Sequence, residues 1–186
     1  ALTDLSHPCQ AMADFLTLRE HKGALSTLKL TYVGDGNNVC HSLMLAAARG
    51  GTRMAVATPP GYEPKAEVVA AARQDGRDTG FELTLTNSPE EAVAGADAVY
   101  TDVWASMGQE SEKEARARIF APYQVNARLM AQAKPGALFL HCLPAHRGDE
   151  VTDEVIDAPY SVVYDEAENR LHAQKAILIA LMGDKD

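Results

Sequence analysis

The residues best suited to chemistry in this 186-residue sequence lie in the stretch 137–150, ALFLHCLPAHRGDE. Its first four residues are apolar, as is typical of a buried strand, and they lead directly into His141 and Cys142. Pro144 cannot donate a ladder hydrogen bond, so the strand must end close to the cysteine. In an open parallel sheet, ligands bind at the carboxyl ends of the strands. The sequence therefore predicts a thiol and an imidazole at the edge of the sheet where a ligand site is expected.

A cysteine at this position is reactive only if nearby positive charge stabilises its thiolate form. His141, His146 and Arg147 are close enough in sequence to supply that charge. The alternative interpretation is that Cys142 is a small buried apolar residue and that the histidines lie at the surface, which is common for a single cysteine. The choice between the two depends on whether other polar residues converge on the same edge.

Polar residues also follow two other predicted strands. The first strand runs into Asn37 and Asn38, and the fourth runs into Asp102 and Ser106. Because the carboxyl ends of parallel strands share one edge of the sheet, these residues and Cys142 are expected to surround one pocket. Each residue also has a purely structural explanation, since asparagine and aspartate are frequent in turns and serine can simply pack.

The elements that position these residues alternate between strands and helices. The alternation predicts a doubly wound parallel sheet of five or six strands with helices on both faces, a three-layer, Rossmann-like α/β fold. Helices are predicted over residues 125–133 and from about 167 to 182, and the charged segment 109–118 is expected to be exposed and mobile. Strands are predicted over residues 28–33, 54–57, 81–85, 97–101 and 137–140, with 161–164 as a short sixth strand.

Composition excludes several classes of protein. The chain is 46% hydrophobic and 23% charged with a net charge of −9, which is ordinary for one globular domain and argues against nucleic-acid or membrane partners. Its cysteines, Cys9, Cys40 and Cys142, are odd in number and widely spaced. That pattern predicts a reducing, cytoplasmic location, with neither a disulfide framework nor a metal site. No apolar run approaches the length of a membrane span.

A nucleotide site is the obvious rival interpretation of the turn after the first strand. Gly34 and Gly36 begin a dinucleotide-type pattern, but Val39 occupies the position of its third glycine. The acidic residue expected near the end of the second strand is missing, because Thr-Pro-Pro stands at 58–60. No phosphate-binding loop of the ATP type is present either, so no cofactor is expected.

Five motifs occur in a fixed order along the chain: HPCQ at 7–10, GDGNN at 34–38, DVWASMG at 102–108, HCLPAHRG at 141–148 and ENR at 168–170. Taken together, they resemble the ornithine carbamoyltransferase family in order and spacing. The resemblance covers nearly the whole chain and corresponds to the carboxyl-terminal, ornithine-binding half of those enzymes. The related aspartate carbamoyltransferases share the HPxQ element but usually have His-Pro-Leu-Pro in place of HCLP, and they lack the D-x-W-x-S-M-G loop.

The resemblance implies an activity as well as a fold. It implies transfer of a carbamoyl group from carbamoyl phosphate to the side-chain amine of L-ornithine, which gives L-citrulline and phosphate. Residues 1–186 are then expected to form a single ornithine-binding domain. The amino-terminal carbamoyl-phosphate domain, with its Ser-x-Arg-Thr loop, is expected to lie outside this chain, so that the chain alone turns over little substrate. The parent enzyme is expected to be a homo-oligomer built from trimers.

The resemblance also implies residue roles around carbamoyl phosphate. His7 and Gln10 are implied to contact it, and Cys142, Leu143 and Arg170 are implied to surround its carbamoyl group. Among these residues, Cys142, His7 and Arg170 are the catalytic candidates.

The resemblance also implies that a second set of residues holds ornithine: Asn38, Asp102, Ser106 and Met107. Asp102 is a carboxylate suited to an ammonium group, and Asn38 can donate to a carboxylate. A thiolate at Cys142 is expected to orient the amine and to help remove its proton before attack. Two alternatives stay open: a non-catalytic amino-acid-binding module, and a transferase for a related amine such as putrescine.

Two terminal segments predict an exposed apolar surface. Residues 176–182 are apolar on more than one helical stripe, and the opening helix carries Met12, Phe15, Leu16 and Leu18. By the family resemblance, both helices link two domains. Self-association of the chain through these helices is therefore expected.

Overall fold

The framework of the computed structural model, which describes residues 2–105 and 113–183, is a five-stranded parallel sheet. The strand order is β3-β2-β1-β4-β5, with every neighbouring pair parallel. The chain changes direction across the sheet between β1 and β4, and ligands bind at such a switch point. The strands are β1 (Lys29–Val33), β2 (Arg53–Ala57), β3 (Leu83–Thr86), β4 (Ala98–Thr101) and β5 (Leu138–His141).

Helices connect the strands and cover both faces of the sheet. Among the described helices, none combines the length and the apolar character that crossing a membrane requires. Short 3₁₀ turns lie at Leu25–Thr27 and Ala121–Tyr123. The helices are α1 (Pro8–Lys22), α2 (Asn38–Gly50), α3 (Ala66–Asp75), α4 (Pro89–Val93), α5 (Lys113–Phe120), α6 (Ala127–Met130), α7 (Asp153–Ile156) and α8 (Val163–Met182).

The apolar core is split into two layers by the sheet, because successive strand residues point to opposite faces. Leu30 and Tyr32 of β1 pack with residues of α1, α2 and α3 on one face. Val33 of β1 and Phe139 of β5 pack on the other face with residues of α4, α5, α6 and α7. These two cores confirm the predicted three-layer α/β fold.

The predicted sixth strand at 161–164 is wrong. Ser161 makes one isolated bridge to Phe139, and α8 begins at Val163 rather than near residue 167. The reason is that the backbone turns at once into the helix, where the N–H of Glu166 donates to the carbonyl of Val162 at 2.9 Å. The helix predicted at 125–133 is likewise reduced to the single turn of α6.

The segment 109–118, which was expected to be exposed and mobile, is described from residue 113 onward, where most side chains are exposed but Arg116 is buried. This part belongs to α5, and Arg116 is only 4% exposed. Its guanidinium lies against the rings of Tyr62 and Phe120, 4.9 and 5.1 Å from their centroids, and pairs with the carboxylate of Asp35. The charge is buried because a carboxylate and two aromatic faces compensate it. Residues 109–112 lie outside the described residues.

The glycine-rich turn after β1 allows two backbone segments to approach closely. A Cβ atom on Gly36 would lie 2.3 Å from the backbone nitrogen of Pro64. The N–H of Gly36 donates instead to the carbonyl of Tyr62 at 2.9 Å. This glycine is therefore required by packing of the 62–64 segment, which explains why the pattern resembles a nucleotide motif without completing it.

Candidate functional site

A cavity of about 730 Å³ opens at the carboxyl ends of β1, β4 and β5. These three strands are neighbours in the sheet, so the polar residues that follow them meet as expected. Ser106 and Met107 lie outside the described residues. The expected site residues that line the cavity are His7, Gln10, Asn38, Asp102, Cys142, Leu143 and Arg170.

Asp102, directly after β4, is the most heavily hydrogen-bonded acid of this pocket wall. One carboxylate oxygen accepts from the side-chain amide of Asn37 at 2.7 Å. The other accepts from the backbone N–H of Val103 at 2.8 Å and from the thiol of Cys142 at 3.0 Å. These three donors hold the carboxylate in one orientation at the pocket wall, where it can attract a cationic ligand group.

Cys142 is a thiol donor in this arrangement. Burial, followed by the negative charge of Asp102 beside it, raises the pKa of the Cys142 thiol well above its ordinary value. The thiol also donates a hydrogen bond to that carboxylate, with the proton kept on the sulfur. The expectation of a stabilised thiolate is therefore wrong.

The cations expected to stabilise the thiolate are engaged elsewhere. The Nδ1 atom of His141 accepts from the backbone N–H of Leu143 at 2.9 Å, so it carries no proton. Its Nε2 atom lies 3.2 Å from Glu150, and His146 is exposed. The Arg147 guanidinium binds Asp153 and Asp157 on and beside α7.

A metal ion fits poorly at the densest group of ligand atoms. Atoms of Asp102, His141 and Cys142 lie within 4.8 Å of one another. Both ring nitrogens of His141 are already hydrogen-bonded, to Leu143 and to Glu150. One carboxylate and one protonated thiol remain, which is fewer ligands than zinc sites in proteins use.

His7 immediately precedes α1, and its ring faces the cavity. Its backbone N–H donates to the hydroxyl of Ser42 at 2.7 Å, which fixes the start of the helix. The ring does not cap α1, and its Nδ1 atom is buried without a hydrogen-bond partner among the described residues. Burial, and then the positive charge of Arg170, lower the pKa of His7. A neutral imidazole is therefore presented to the pocket.

Gln10 and Arg170 meet across the contact between α1 and α8. The side-chain oxygen of Gln10 accepts from the Arg170 guanidinium. The side-chain nitrogen of Gln10 donates to Asp14 at 2.8 Å and to Glu166 at 3.0 Å. Two helices distant in sequence thereby place an amide and a guanidinium side by side.

Asn37 was expected at this edge of the sheet, but its role there was not predicted from the sequence. Asn37 caps α2 by accepting from the N–H groups of Val39 and Cys40, while its amide nitrogen holds Asp102. The signal available in the sequence was an asparagine at a helix start, because its side-chain oxygen can cap the helix while its side-chain nitrogen remains able to donate to another residue. Asn38, the residue expected to contact ornithine, donates to the carbonyl of Thr3 at 2.6 Å.

Asp14 and Glu166 were missed by reasoning from sequence. Each stands four residues from a predicted site residue on the same helix, Asp14 from Gln10 and Glu166 from Arg170. That spacing places two side chains on one helical face and was the available signal.

The pocket thus combines two chemistries. The Asp102 carboxylate suits an ammonium group. The guanidinium of Arg170, the imidazole of His7 and the amide of Gln10 suit a planar, polar group with carbonyl character. The arrangement can hold an amine and an acyl-type electrophile together.

Comparison with known proteins gives a consistent result. A family model described as "Aspartate/ornithine carbamoyltransferase, Asp/Orn binding domain" matches residues 26–181. Ornithine carbamoyltransferase of Carboxydothermus hydrogenoformans is 63% identical over 182 residues, and that of Thermococcus kodakarensis is 58% identical. The solved ornithine carbamoyltransferase of Pyrococcus furiosus is 57% identical with a TM-score of 0.94, and that of Thermus thermophilus is 46% identical with a TM-score of 0.85.

The matches cover almost all of this chain but only part of each relative. The alignment with the Carboxydothermus protein spans 98% of this chain and 58% of the relative. The Pyrococcus structure matches 98% of this chain over 58% of its own. This chain therefore spans a little more than half the length of the proteins it resembles.

Proposed function

This chain belongs to the aspartate/ornithine carbamoyltransferase family, and from that membership we propose that it is the ornithine-binding domain of an ornithine carbamoyltransferase. The complete enzyme would transfer a carbamoyl group from carbamoyl phosphate to the side-chain amine of L-ornithine. Its products are L-citrulline and phosphate. The observation that carries the proposal is the meeting of Asp102 with Gln10 and Arg170 in one pocket.

The reaction joins an amine nitrogen to the carbamoyl carbon and breaks the bond from that carbon to the phosphate oxygen. Negative charge develops on the carbamoyl oxygen during attack, and donors already aimed at it stabilise the transition state. Arg170 and the neutral imidazole of His7 are the donors that we assign to this role. Leu143, the residue after Cys142, lies at the pocket edge. Its backbone has a φ of 54°, in the left-handed region.

The ornithine ammonium must lose a proton before its nitrogen can attack, and water or the phosphate of the second substrate accepts this proton. Asp102 is the carboxylate at the pocket wall, whereas Cys142 holds its proton. We therefore assign attraction of the ornithine ammonium to Asp102, and give Cys142 the role of a donor that orients this carboxylate. Asn38, Ser106 and Met107 remain the proposed contacts to the rest of the amino acid.

The proposal is tested with a chimera that joins the preceding part of the Carboxydothermus relative to this chain. We expect it to form citrulline from carbamoyl phosphate and L-ornithine, with much weaker activity on putrescine or L-aspartate. Its mass in light scattering also tests the proposed trimer-based assembly. Binding of L-ornithine to the chain without citrulline formation by the chimera would favour the non-catalytic amino-acid-binding module instead.

Asp102→Asn provides the residue-level test in the same chimera. Loss of a charge-assisted hydrogen bond costs about 1.5–3 kcal/mol and should chiefly raise the KM for ornithine. The matched control is Asp75→Asn, which makes the same chemical change at an ion pair with Arg49 outside the pocket. An ornithine KM that responds equally to both substitutions would refute the assignment of Asp102.

A further inference from the structure

Two buried carboxyl groups lie directly behind the pocket, Asp14 on α1 and Glu166 on α8. Both residues are 0% exposed, and neither belongs to the cavity lining. One nitrogen atom, Nε2 of Gln10, donates to both of them. Glu166 also accepts from the hydroxyl of Tyr100 at 3.1 Å and from the backbone N–H of His141 at 3.0 Å. The two acids therefore join α1, α8, β4 and β5 beneath the site.

The charges around this pair do not balance if both acids are ionised. Arg170 is the cationic group that acts on Asp14, and His141 acts on Glu166 in the same direction. The other titratable groups that face it from the sheet are Tyr100, Cys142 and the ring of His141, whose Nδ1 carries no proton. Two buried negative charges beside one positive charge favour retention of one proton.

The hydrogen bonds support the same conclusion. The second oxygen of Asp14 is buried and has no hydrogen-bond partner among the described residues, so a negative charge on this carboxylate would be incompletely compensated. Burial raises the pKa of Asp14, and burial followed by the charge of Asp14 raises the pKa of Glu166.

We propose that Asp14 and Glu166 share one proton and act as a positioning pair for Gln10 and Arg170. Both hydrogens of the Gln10 amide point at the pair, so its oxygen must face Arg170 and the pocket. The pair thereby makes Gln10 an acceptor on the pocket side, suited to the N–H groups of a carbamoyl moiety. Its remaining negative charge balances Arg170. This link to the carbamoyl group rests on the proposed function.

The shared proton is tested first, on the 186-residue chain itself. Infrared difference spectra with ¹³C-labelled Asp or Glu should show the C=O stretch of a protonated carboxyl group at neutral pH. If the proton is shared, either Asp14→Asn or Glu166→Gln should remove the band, because the remaining acid then ionises beside Arg170. The surface change Asp75→Asn should leave the band unchanged.

Two outcomes would overturn the sharing of the proton. One is the absence of the band in the unsubstituted chain. The other is its survival in either single variant, which would mean that burial alone protonates one acid. Circular dichroism of each variant identifies any that fails to fold. Because Asp14→Asn and Glu166→Gln test the shared proton independently, one folded variant is enough.

The positioning role is tested by kinetics in the chimera described above. The double change Asp14→Asn with Glu166→Gln removes the charge facing Arg170 and the constraint on Gln10. We expect about a tenfold or greater rise in the KM for carbamoyl phosphate, with little change in the KM for ornithine. A merely structural role would change both constants together, and that result would overturn the positioning role. An inactive chimera would count against the proposed function, while the infrared result would still decide the proton.

Discussion

At the scale of single residues, the central contact is the hydrogen bond from Cys142 to Asp102. A cysteine at the end of a strand is usually considered as a nucleophile or a general base, and both roles require the thiolate. Here a carboxylate stands beside the sulfur, so the negative charge is already placed on Asp102 and the thiol stays protonated. In this pair, Asp102 carries the negative charge and Cys142 acts as its hydrogen-bond donor.

This contact makes the reactivity of Cys142 dependent on Asp102. In Asp102→Asn, the carboxylate charge that raises the pKa of Cys142 is gone, so the pKa should fall although burial still acts on it. The thiolate fraction rises about tenfold for each unit of that fall. We expect faster alkylation of Cys142 by iodoacetamide, measured by mass spectrometry of its peptide. Cys40, buried in α2, is the internal reference, and an unchanged rate at Cys142 would mean that the contact with Asp102 is weak.

At the scale of elements, the packing of α1 on α8 places Gln10 and Arg170 side by side in the pocket wall. Each helix contributes one polar face, with Gln10 and Asp14 on α1 and Glu166 and Arg170 on α8. The residues pair across the two helices as well as along them, and Asn169 of α8 extends this polar network by donating to Thr17 and Glu20 of α1. Such a network orients side chains. Because it contains titratable groups, its contribution to the free energy of unfolding depends on pH.

This pH dependence should be measurable in the stability of the chain. Burial raises the pKa of Asp14 from 3.8 to about 7, so the folded state binds this proton more tightly than the unfolded state. The stabilising contribution is complete below the unfolded pKa and is lost as the pH rises through the folded pKa. We expect the free energy of unfolding to fall between about pH 4 and pH 7, by at most about 1.4 kcal/mol per pH unit.

Urea unfolding across this pH range measures the effect. Asp14→Asn should flatten the dependence, because an amide does not titrate, whereas Asp75→Asn should preserve it. Equal slopes in the unsubstituted chain and in Asp14→Asn would show that Asp14 does not retain a proton on folding.

At the scale of the whole molecule, one end of α8 leaves a large apolar surface uncovered. Leu178, Ile179, Leu181 and Met182 are 55–79% exposed. The expectation that α1 shares this surface is largely wrong, since Phe15 and Leu18 are buried against the sheet, α2 and α8. Met12, at 50% exposed, is the α1 residue that fits the expectation.

We expect the 186-residue chain to self-associate through this end of α8. Burial of apolar surface contributes about 25 cal/mol per Å², so covering the uncovered stripe is favourable. Light scattering over a concentration series should show a mass that rises with concentration. Ile179→Lys with Leu181→Lys should keep the chain monomeric, and Ile119→Lys, at an exposed apolar position on α5, should not. A monomeric mass at every concentration would contradict the expectation.

Much of this architecture was predictable from the sequence because its causes are local. Alternating strand and helix patterns, turn residues and helix caps act over a few neighbouring residues. They gave the five strands of the sheet and the meeting of three strand ends at one pocket. The order of five short motifs gave the family in the same way, since motif order is a property of the chain itself.

What only the tertiary structure decided concerns charges and distant partners. The protonated state of Cys142 depends on Asp102, forty residues earlier, and the buried state of Arg116 depends on Asp35 and two aromatic rings. The pairing of Asp14 with Glu166 joins opposite ends of the sequence. A pKa is set by burial and by charges a few ångströms away. Those distances exist only once the helices have packed on the sheet, and no local pattern of residues contains them.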